Sequence, residues 1–201
     1  MSVTIYGFGR SRALRAVWAA EEAGRDYTFS PLNAAAGEHR QPAYLAINPG
    51  GKVPALVEGD FVLTESGAIV SYLGAGTPLT PSAPQDRARF DQWCFFACTE
   101  LEQPLWTIGK HKFALPRDWR VPAIFETCGR EFARAAGVFA EGLGEKTWIL
   151  GETFTMADVL LGHTLFWANA FKLPLAHDNL VAYRERAWAR PARERAYAVK
   201  P

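Results

Sequence analysis

The spacing of apolar and polar positions changes several times within the first 76 residues. Short runs rich in β-branched and aromatic residues predict four strands, at 3–6, 27–29, 54–57 and 61–63. Apolar residues at helical spacing predict three helices, at 11–23, 42–47 and 65–73. On the first helix, Leu14 and Trp18 lie on the apolar face, and Arg15 is expected on the polar face. The order β-α-β-(α)-β-β-α is typical of a mixed sheet with helices packed on it.

The rest of the chain keeps helical spacing and shows no convincing pair of strands. Its apolar-periodic stretches cover 85–110, 121–142, 155–171 and 178–189. The segment Thr77 to Pro84 carries three prolines and no helical period, so it is interpreted as a linker. We therefore predict an α/β domain at 1–76, a linker at 77–84, and an all-helical domain at 85–201.

Charge and cysteine content exclude several classes of protein. The 22 basic and 21 acidic residues give a net charge of +1, which lacks the broad basic footprint of a nucleic-acid-binding protein. Three cysteines do not suggest a disulfide framework. Cys94 and Cys98 have no nearby set of further ligands, so no metal is expected. No leader and no long apolar run is found, which predicts a cytoplasmic protein that does not bind membranes.

Two nucleotide-binding motifs are incomplete in this sequence. Gly7 to Gly9 follows a strand, but Arg12 occupies the third glycine position of a dinucleotide fingerprint. Gly51 and Lys52 follow a turn, but Val53 replaces the hydroxyl residue of a phosphate-binding loop. Both motifs are rejected, so no nucleotide cofactor is expected.

The segment around Thr155 predicts a helix start of structural importance. Thr155 fits the N-cap, and Asp158 lies three residues on, where its carboxylate can accept the N–H of the cap residue. Phe154 and Val159 are spaced to pack against each other as a hydrophobic staple. Asp158 is therefore interpreted as a capping carboxylate and not as a catalytic one.

Residues 48–73 contain the strongest chemical signal. Pro54 opens a strand after Val53, which is unusual for proline and points to a cis bond. Glu65 and Ser66 begin a helix directly after a strand, where free N–H groups and the helix dipole favour an anion. Ser66 can cap the helix and donate to a carboxylate, while Glu65 can accept from an ammonium group. The pair suits the head group of an α-amino acid, although Ser66 could also be an N-cap alone.

The order and spacing of these motifs resemble the glutathione transferase family, in particular its theta-like and bacterial serine-type members. The resemblance covers Ser11 to Gly24, Gly37 to Arg40, Val53–Pro54, Glu65–Ser66 and the Thr155–Asp158 box. It implies a thioredoxin-like N-terminal domain with a mixed sheet and a cis-proline. It also implies that the all-helical C-terminal domain contributes the pocket for an electrophile.

The resemblance implies roles for particular residues. The hydroxyl of Ser11 would donate to the sulfur of glutathione and favour its thiolate, with Tyr6 or Arg10 as the alternatives. No cysteine lies in this loop, which argues against a thiol-disulfide enzyme. The residues expected to hold glutathione are His39, Lys52, Val53, Pro54, Glu65 and Ser66, with Arg40 beside His39 and Glu100 or Glu102 reaching across a dimer.

The implied function is a homodimeric detoxification enzyme whose cosubstrate is glutathione. The thiolate would attack small apolar electrophiles, and Phe8, Trp106 and Phe113 are candidates for lining the second pocket. Two alternatives remain open at this point. One is a non-catalytic interaction protein with the same fold; the other is a glutathione-dependent peroxidase, isomerase or dehalogenase.

Overall fold

A computed structural model describes residues 2–199 of the chain. They form two compact units: residues 2–82 with 188–199, and residues 83–187. Within the described residues, no helix is long and apolar enough to cross a bilayer.

The first unit contains a four-stranded mixed sheet, which confirms the predicted fold class. Its elements are β1 (Val3–Gly7), α1 (Ala13–Ala23), β2 (Tyr27–Pro31), α2 (Pro42–Leu45), β3 (Ala55–Glu58), β4 (Phe61–Thr64) and α3 (Ser66–Leu73). The strands lie in the order β2-β1-β3-β4, in which β1 is parallel to β2 and antiparallel to β3. The predicted hairpin is the antiparallel pair of β3 and β4. Both long helices begin one or two residues later than predicted.

The two faces of the sheet differ in what covers them. Val3 and Ile5 of β1 are fully buried, whereas the alternate residue Tyr6 is half-buried and its ring lies 6.1 Å from that of Tyr44 in α2. Alternation along a strand places Tyr6 on the face opposite to Val3 and Ile5. Helices α1 and α3 pack against each other in the same unit.

A helix near the C-terminus, α9 (Pro191–Tyr197), packs on α1 and so belongs to the first unit. Arg190 donates two hydrogen bonds, of 2.5 and 2.6 Å, to the carboxylate of Glu22. Arg195 bonds to Glu21 at 2.6 Å, and Glu21 also accepts from the hydroxyl of Tyr27. The sequence pattern predicted no separate helix here, because short-range spacing carries no information about a partner so distant along the chain.

The second unit is helical, and its first predicted helix is interrupted. The helices are α4 (Pro84–Phe96), α5 (Gln103–Gly109), α6 (Ile124–Leu143), α7 (Met156–Ala170) and α8 (Asp178–Trp188). One wide, π-helical turn separates α4 from α5 at Ala97–Leu101, and a second follows α5 at Lys110–Ala114. Pro104 lies in the first turn of α5, and a proline without N–H cannot continue the hydrogen bonding of a helix that precedes it.

The start of α7 confirms the structural interpretation of Asp158. Its fully buried carboxylate accepts from the N–H and hydroxyl of Thr155, at 2.8 and 2.9 Å. It also accepts from the N–H of Ile149 at 3.0 Å and the hydroxyl of Tyr183 at 2.7 Å. Burial raises the pKa of Asp158, and these four hydrogen bonds oppose that effect. The carboxylate thus joins three segments of the second unit.

Candidate functional site

Strand register places the candidate residues at one edge of the sheet. Gly7 lies opposite Pro31 in the parallel pair, so the loops that follow β1 and β2 leave from the same edge. Tyr6 lies opposite Ala55, which brings the residues that precede β3 to this edge. Ala55 lies opposite Thr64, so the start of α3 is there too. Four loops therefore meet, and they carry Ser11, His39, Val53–Pro54 and Glu65–Ser66.

The loop before β3 is fixed by side chains that bind its backbone. The bond between Val53 and Pro54 is cis, as predicted. The carbonyl of Lys52 accepts from the hydroxyl of Tyr44 at 2.6 Å and from the side-chain amide of Asn48 at 2.7 Å. Pro54 is buried, and Val53 is half-buried. The backbone of Val53 is thereby held in one position at the edge, while the Lys52 side chain is exposed.

The start of α3 differs from the prediction that Ser66 caps the helix. Glu65 occupies the N-cap with φ 65° and ψ 115°, and Ser66 is the first helical residue. The left-handed φ of Glu65 turns the chain from β4 into α3, and its side chain is exposed. The first turn of α3 holds no acidic residue, and no side chain caps it. Its free N–H groups therefore suit an anion from outside the chain.

Ser66 also has a partner that sequence analysis missed. The side chain is only 7% exposed, and its Oγ accepts from Nη1 of Arg15 at 3.3 Å. Arg15 was expected on the polar face of α1, but it is fully buried. Every residue from Ala13 to Ala20 is buried, so the helix has no exposed side over this stretch. The one available signal was that Arg15 lies between Leu14 and Ala16 in a mostly apolar run.

Ser11 lies in the loop before α1, where its hydroxyl is already engaged. The Oγ donates to the carbonyl of Phe8 at 2.8 Å and accepts from the N–H of Ala13 at 3.2 Å. Helix α1 begins at Ala13, with Arg12 as its N-cap, so the predicted start at Ser11 was wrong. The loop is tight because a Cβ at Gly7 would lie 2.1 Å from that of Ala13. Ser11 is thus held at the edge by the backbone on both sides.

The two alternatives to Ser11 have different surroundings. The ring of Tyr6 packs against Tyr44, beneath the loop that Tyr44 holds at Lys52. Arg10 is exposed and takes a left-handed backbone conformation, with φ 60°. The Ser11 oxygen, in contrast, is held by two hydrogen bonds to the backbone of its own loop.

His39 lies in a single helical turn, Glu38–Arg40, that follows β2. Its ring meets the ring of Phe8 edge to face, with 5.2 Å between centroids. Its Nδ1 atom is buried and makes no hydrogen bond with the described residues. Burial lowers the pKa of His39, and the charge of Arg40 lowers it further. The unpaired ring nitrogen makes His39 a natural partner for a polar group of a ligand.

An open cleft of about 530 Å³ lies next to the loop of Ser11. It is lined by Phe8, Gly9, residues 31–35 and Glu38, which are mostly small or apolar. In the second unit, Phe113 is 58% exposed and Trp106 is half-buried, while Glu100 is exposed and Glu102 is buried. Within residues 2–199, no three or more His, Cys, Asp or Glu side chains cluster in a way that could hold a metal ion.

Comparisons with known proteins agree on one family over most of the chain. The profile described as "Glutathione S-transferase, N-terminal domain" matches residues 1–75, and "Glutathione S-transferase, C-terminal domain" matches residues 122–186. The sequence is 30% identical to glutathione S-transferase 4 of Zea mays, over 100% of this chain and 94% of that protein. It is 29% identical to glutathione S-transferase GstA of Escherichia coli O157:H7, over 85% of each.

A solved structure with bound ligand is similar over nearly the whole chain. It is the theta class glutathione S-transferase from Xanthomonas axonopodis pv. citri with glutathione bound. The TM-score is 0.83, the identity is 31%, and the match covers 98% of both chains.

Proposed function

Because the chain belongs to the glutathione S-transferase family and is an enzyme of that family, we propose that it activates the thiol of glutathione for attack on small apolar electrophiles. Glutathione is the cosubstrate, and Ser11 is the residue that acts on its sulfur. His39, Lys52, Val53, Pro54, Glu65 and Ser66 hold the rest of the tripeptide. No metal takes part in this reaction.

The observation that carries the proposal is the meeting of four loops at one edge of the sheet. The start of α3 offers an uncapped helix end with a buried serine, which suits the γ-glutamyl carboxylate. Glu65 lies beside it for the ammonium group. The backbone of Val53 is fixed by Tyr44 and Asn48 through Lys52, which suits pairing with the cysteinyl unit. His39 and Lys52 are the groups available to the glycyl carboxylate.

Ser11 acts by changing the acceptor of its hydroxyl proton. In the free protein this proton bonds to the carbonyl of Phe8. A thiolate is charged, so it forms a stronger hydrogen bond than a neutral carbonyl does. The N–H of Ala13 holds the oxygen in place while the proton turns toward sulfur. The thiol loses its proton to solvent, the thiolate forms a bond to an electrophilic carbon, and the leaving group departs with the electron pair of the bond that breaks.

The open cleft next to this loop supports an apolar second substrate. Its lining contains Phe8, Leu32 and two alanines, with Glu38 as the one ionisable side chain. Such a surface favours uncharged molecules by burial of apolar area. The physiological role of the reaction is detoxification in the cytoplasm.

A homodimer is part of the same proposal. Strand β4 is an outermost strand of the sheet, with neighbouring strand β3 on one side only. Its Phe61 and Val62 are 45% and 43% exposed. An apolar edge strand is an interaction surface unless something covers it. A stable interface should bury more than about 1,000 Å². Light scattering after size exclusion at micromolar concentration should give twice the mass of one chain.

Replacement of Ser11 tests the mechanism. A free thiol has a pKa of about 8.5, so only about 3% is thiolate at pH 7. Lowering the pKa to about 6.5 raises this share about 25-fold, but the weaker nucleophile gives back about 8-fold, a net gain of about 3-fold. Ser11→Ala should lose at least about 10-fold in conjugation of an aryl halide, because positioning and charge stabilisation are lost as well.

Three further measurements complete the test. Ser11→Ala should still bind glutathione in calorimetry, and raising the pH to about 9.5 should recover only part of the rate, since ionisation is only one contribution. Ser11→Thr keeps a hydroxyl, and Tyr6→Phe removes the rival one; both should stay closer to the unmodified enzyme. A loss below 2-fold at every pH in Ser11→Ala, or a larger loss in Tyr6→Phe, would remove Ser11 from the mechanism.

A further inference from the structure

The guanidinium of Arg15 lies buried directly behind the start of α3. Arg15 is 0% exposed, although an arginine is seldom fully buried. Its Nη1 reaches the Oγ of Ser66 at 3.3 Å across the contact between α1 and α3. The charge therefore lies one hydroxyl group away from the helix end at which the carboxylate is proposed to bind.

The hydrogen bond between Arg15 and Ser66 can have only one donor. Arginine has donors only, so the Oγ of Ser66 must be the acceptor. A serine hydroxyl has one proton, which is then kept for an acceptor on another side. Arginine also stays protonated at every pH near neutrality. Arg15 thus turns Ser66 into a donor and adds a positive field at the same point.

Helix α9, which packs on α1, also lies near Arg15. Tyr197 of α9 is half-buried; desolvation raises its pKa, and the positive charges of Arg15 and Arg193 oppose this shift. The guanidinium is therefore near enough to Tyr197 to act on it electrostatically. Packing of α9 on α1 keeps the arginine side chain from moving away from Ser66.

We propose that Arg15 is a positioning residue for the γ-glutamyl carboxylate of glutathione, acting through the hydroxyl of Ser66. This inference rests on the proposed function, because it assigns a role within the same site. Arg15 itself does not touch glutathione. It orients the proton that Ser66 donates and favours negative charge at the end of α3.

The experiment compares two ligands in calorimetry: glutathione and its analogue without the α-carboxylate, 4-aminobutyryl-cysteinyl-glycine. Arg15→Met and Arg15→Gln should raise the dissociation constant for glutathione roughly 10-fold, as expected when a hydrogen bond to a charged group is weakened. For the analogue, the dissociation constants of the same variants should stay within 2-fold of that of the unmodified protein.

Steady-state kinetics of conjugation give a second readout. In the Arg15 variants KM for glutathione should rise, while kcat and KM for the electrophile stay within 2-fold. Arg15→Lys retains charge and donors, so it should recover part of the glutathione affinity.

A matched control lies on the same helix. Glu22→Gln weakens the bidentate pair with Arg190 but leaves Arg15 and Ser66 in place. It should lower the melting temperature without changing the ratio of the two dissociation constants. If Arg15→Met does not fold, Arg15→Gln and Arg15→Lys decide the question.

The outcomes separate this inference from the proposed function. An equal loss for both ligands in the Arg15 variants, or no loss, would show that Arg15 is purely structural. If the unmodified protein binds the analogue as tightly as glutathione, the carboxylate does not bind at α3 and the proposed site itself is wrong. If the unmodified protein prefers glutathione, and this preference over the analogue falls roughly 10-fold in Arg15→Met and Arg15→Gln, both conclusions stand.

Discussion

Helices α3 and α7 begin with similar residues but use their first turns in opposite ways. At α7, the chain supplies its own anion: Asp158 accepts from the backbone and hydroxyl of Thr155. At α3, the first turn carries no acid, and the cap residue Glu65 makes no capping hydrogen bond. One helix start is satisfied from within, and the other is left open to the anion that we propose binds there. A hydroxyl and a carboxylate near a helix start thus do not distinguish a cap from a binding site; their order and partners do.

The largest effect that tests this contrast is loss of the carboxylate at α7. Asp158→Ala should lower the free energy of unfolding by about 3 kcal/mol or more, because several buried donors lose their acceptor at once. Urea unfolding followed by circular dichroism measures this. Glutathione affinity at low temperature should stay within a factor of two. A cost below about 1 kcal/mol would mean that α7 does not depend on its internal anion.

The second largest effect is expected for Ser66→Ala, and it concerns glutathione binding, not the stability of the fold. We expect glutathione to lose about 1.5–3 kcal/mol of binding free energy, because its carboxylate loses a donor in a partly dry site. Calorimetry and retention on immobilised glutathione provide the measurement. The free energy of unfolding should change far less than in Asp158→Ala. Unaltered retention would show that Ser66 serves the fold alone.

A smaller effect comes from the backbone of Glu65. A non-glycine residue at φ 65° and ψ 115° is strained, and such strain typically costs about 1–3 kcal/mol. Glu65→Gly should therefore raise the free energy of unfolding by roughly 1 kcal/mol, after the entropy that glycine loses on folding. It should also weaken glutathione binding, since it removes the carboxylate that we propose for the ammonium group. Glu65→Gln, which keeps the strain, is the control: it should lose affinity without gaining stability.

The smallest expected effect is a change in ligand affinity with pH. Burial and the charge of Arg40 lower the pKa of His39, which favours the neutral ring in the free protein. A bound carboxylate would favour the protonated ring, and binding would then take up protons. Affinity for S-methylglutathione, which has no titrating thiol, should rise as pH falls from 8 to 6, by less than the tenfold per pH unit of one full proton.

His39→Gln should abolish this slope, because glutamine does not titrate. Because the pKa of His39 is lowered in the folded protein, protonation of this ring is less favourable there than in the unfolded chain. Any stability that His39 contributes is therefore present above its usual pKa. It is lost as the pH falls through the pKa of the folded state. A slope that persists in His39→Gln would assign the proton to another group.

Local patterns predicted most of the first unit. The strands around Val3 and Ala55, the hairpin and the cis bond at Pro54 are all found, because turn residues and apolar periods are properties of neighbouring positions. The box at Thr155 was recognised for the same reason. The candidate site residues followed from a resemblance in spacing, and strand register explains why their loops meet.

The errors share a different cause. Arg15 was placed on the polar side, and Ser66 was given the cap position, because the partner of each is 51 residues away in the sequence. The helix α9 was missed since what defines it is its packing on α1. The wide turns after α4 and α5 depend on backbone hydrogen bonds that residue spacing does not encode. Contacts distant in sequence decide these features.

The ion pair between Glu22 and Arg190 joins residues 168 positions apart, and it has a consequence for how the chain is made. A ribosome releases the strands of the first unit early, but α9 emerges only after residues 83–187. The unit that holds the proposed thiol chemistry therefore reaches its final form only after the helical residues 83–187 have been synthesised. Such distant contacts slow folding, and unfinished surfaces favour aggregation. A nascent chain stalled before residue 190 should consequently need chaperone protection on α1, and should lack glutathione binding until α9 is released.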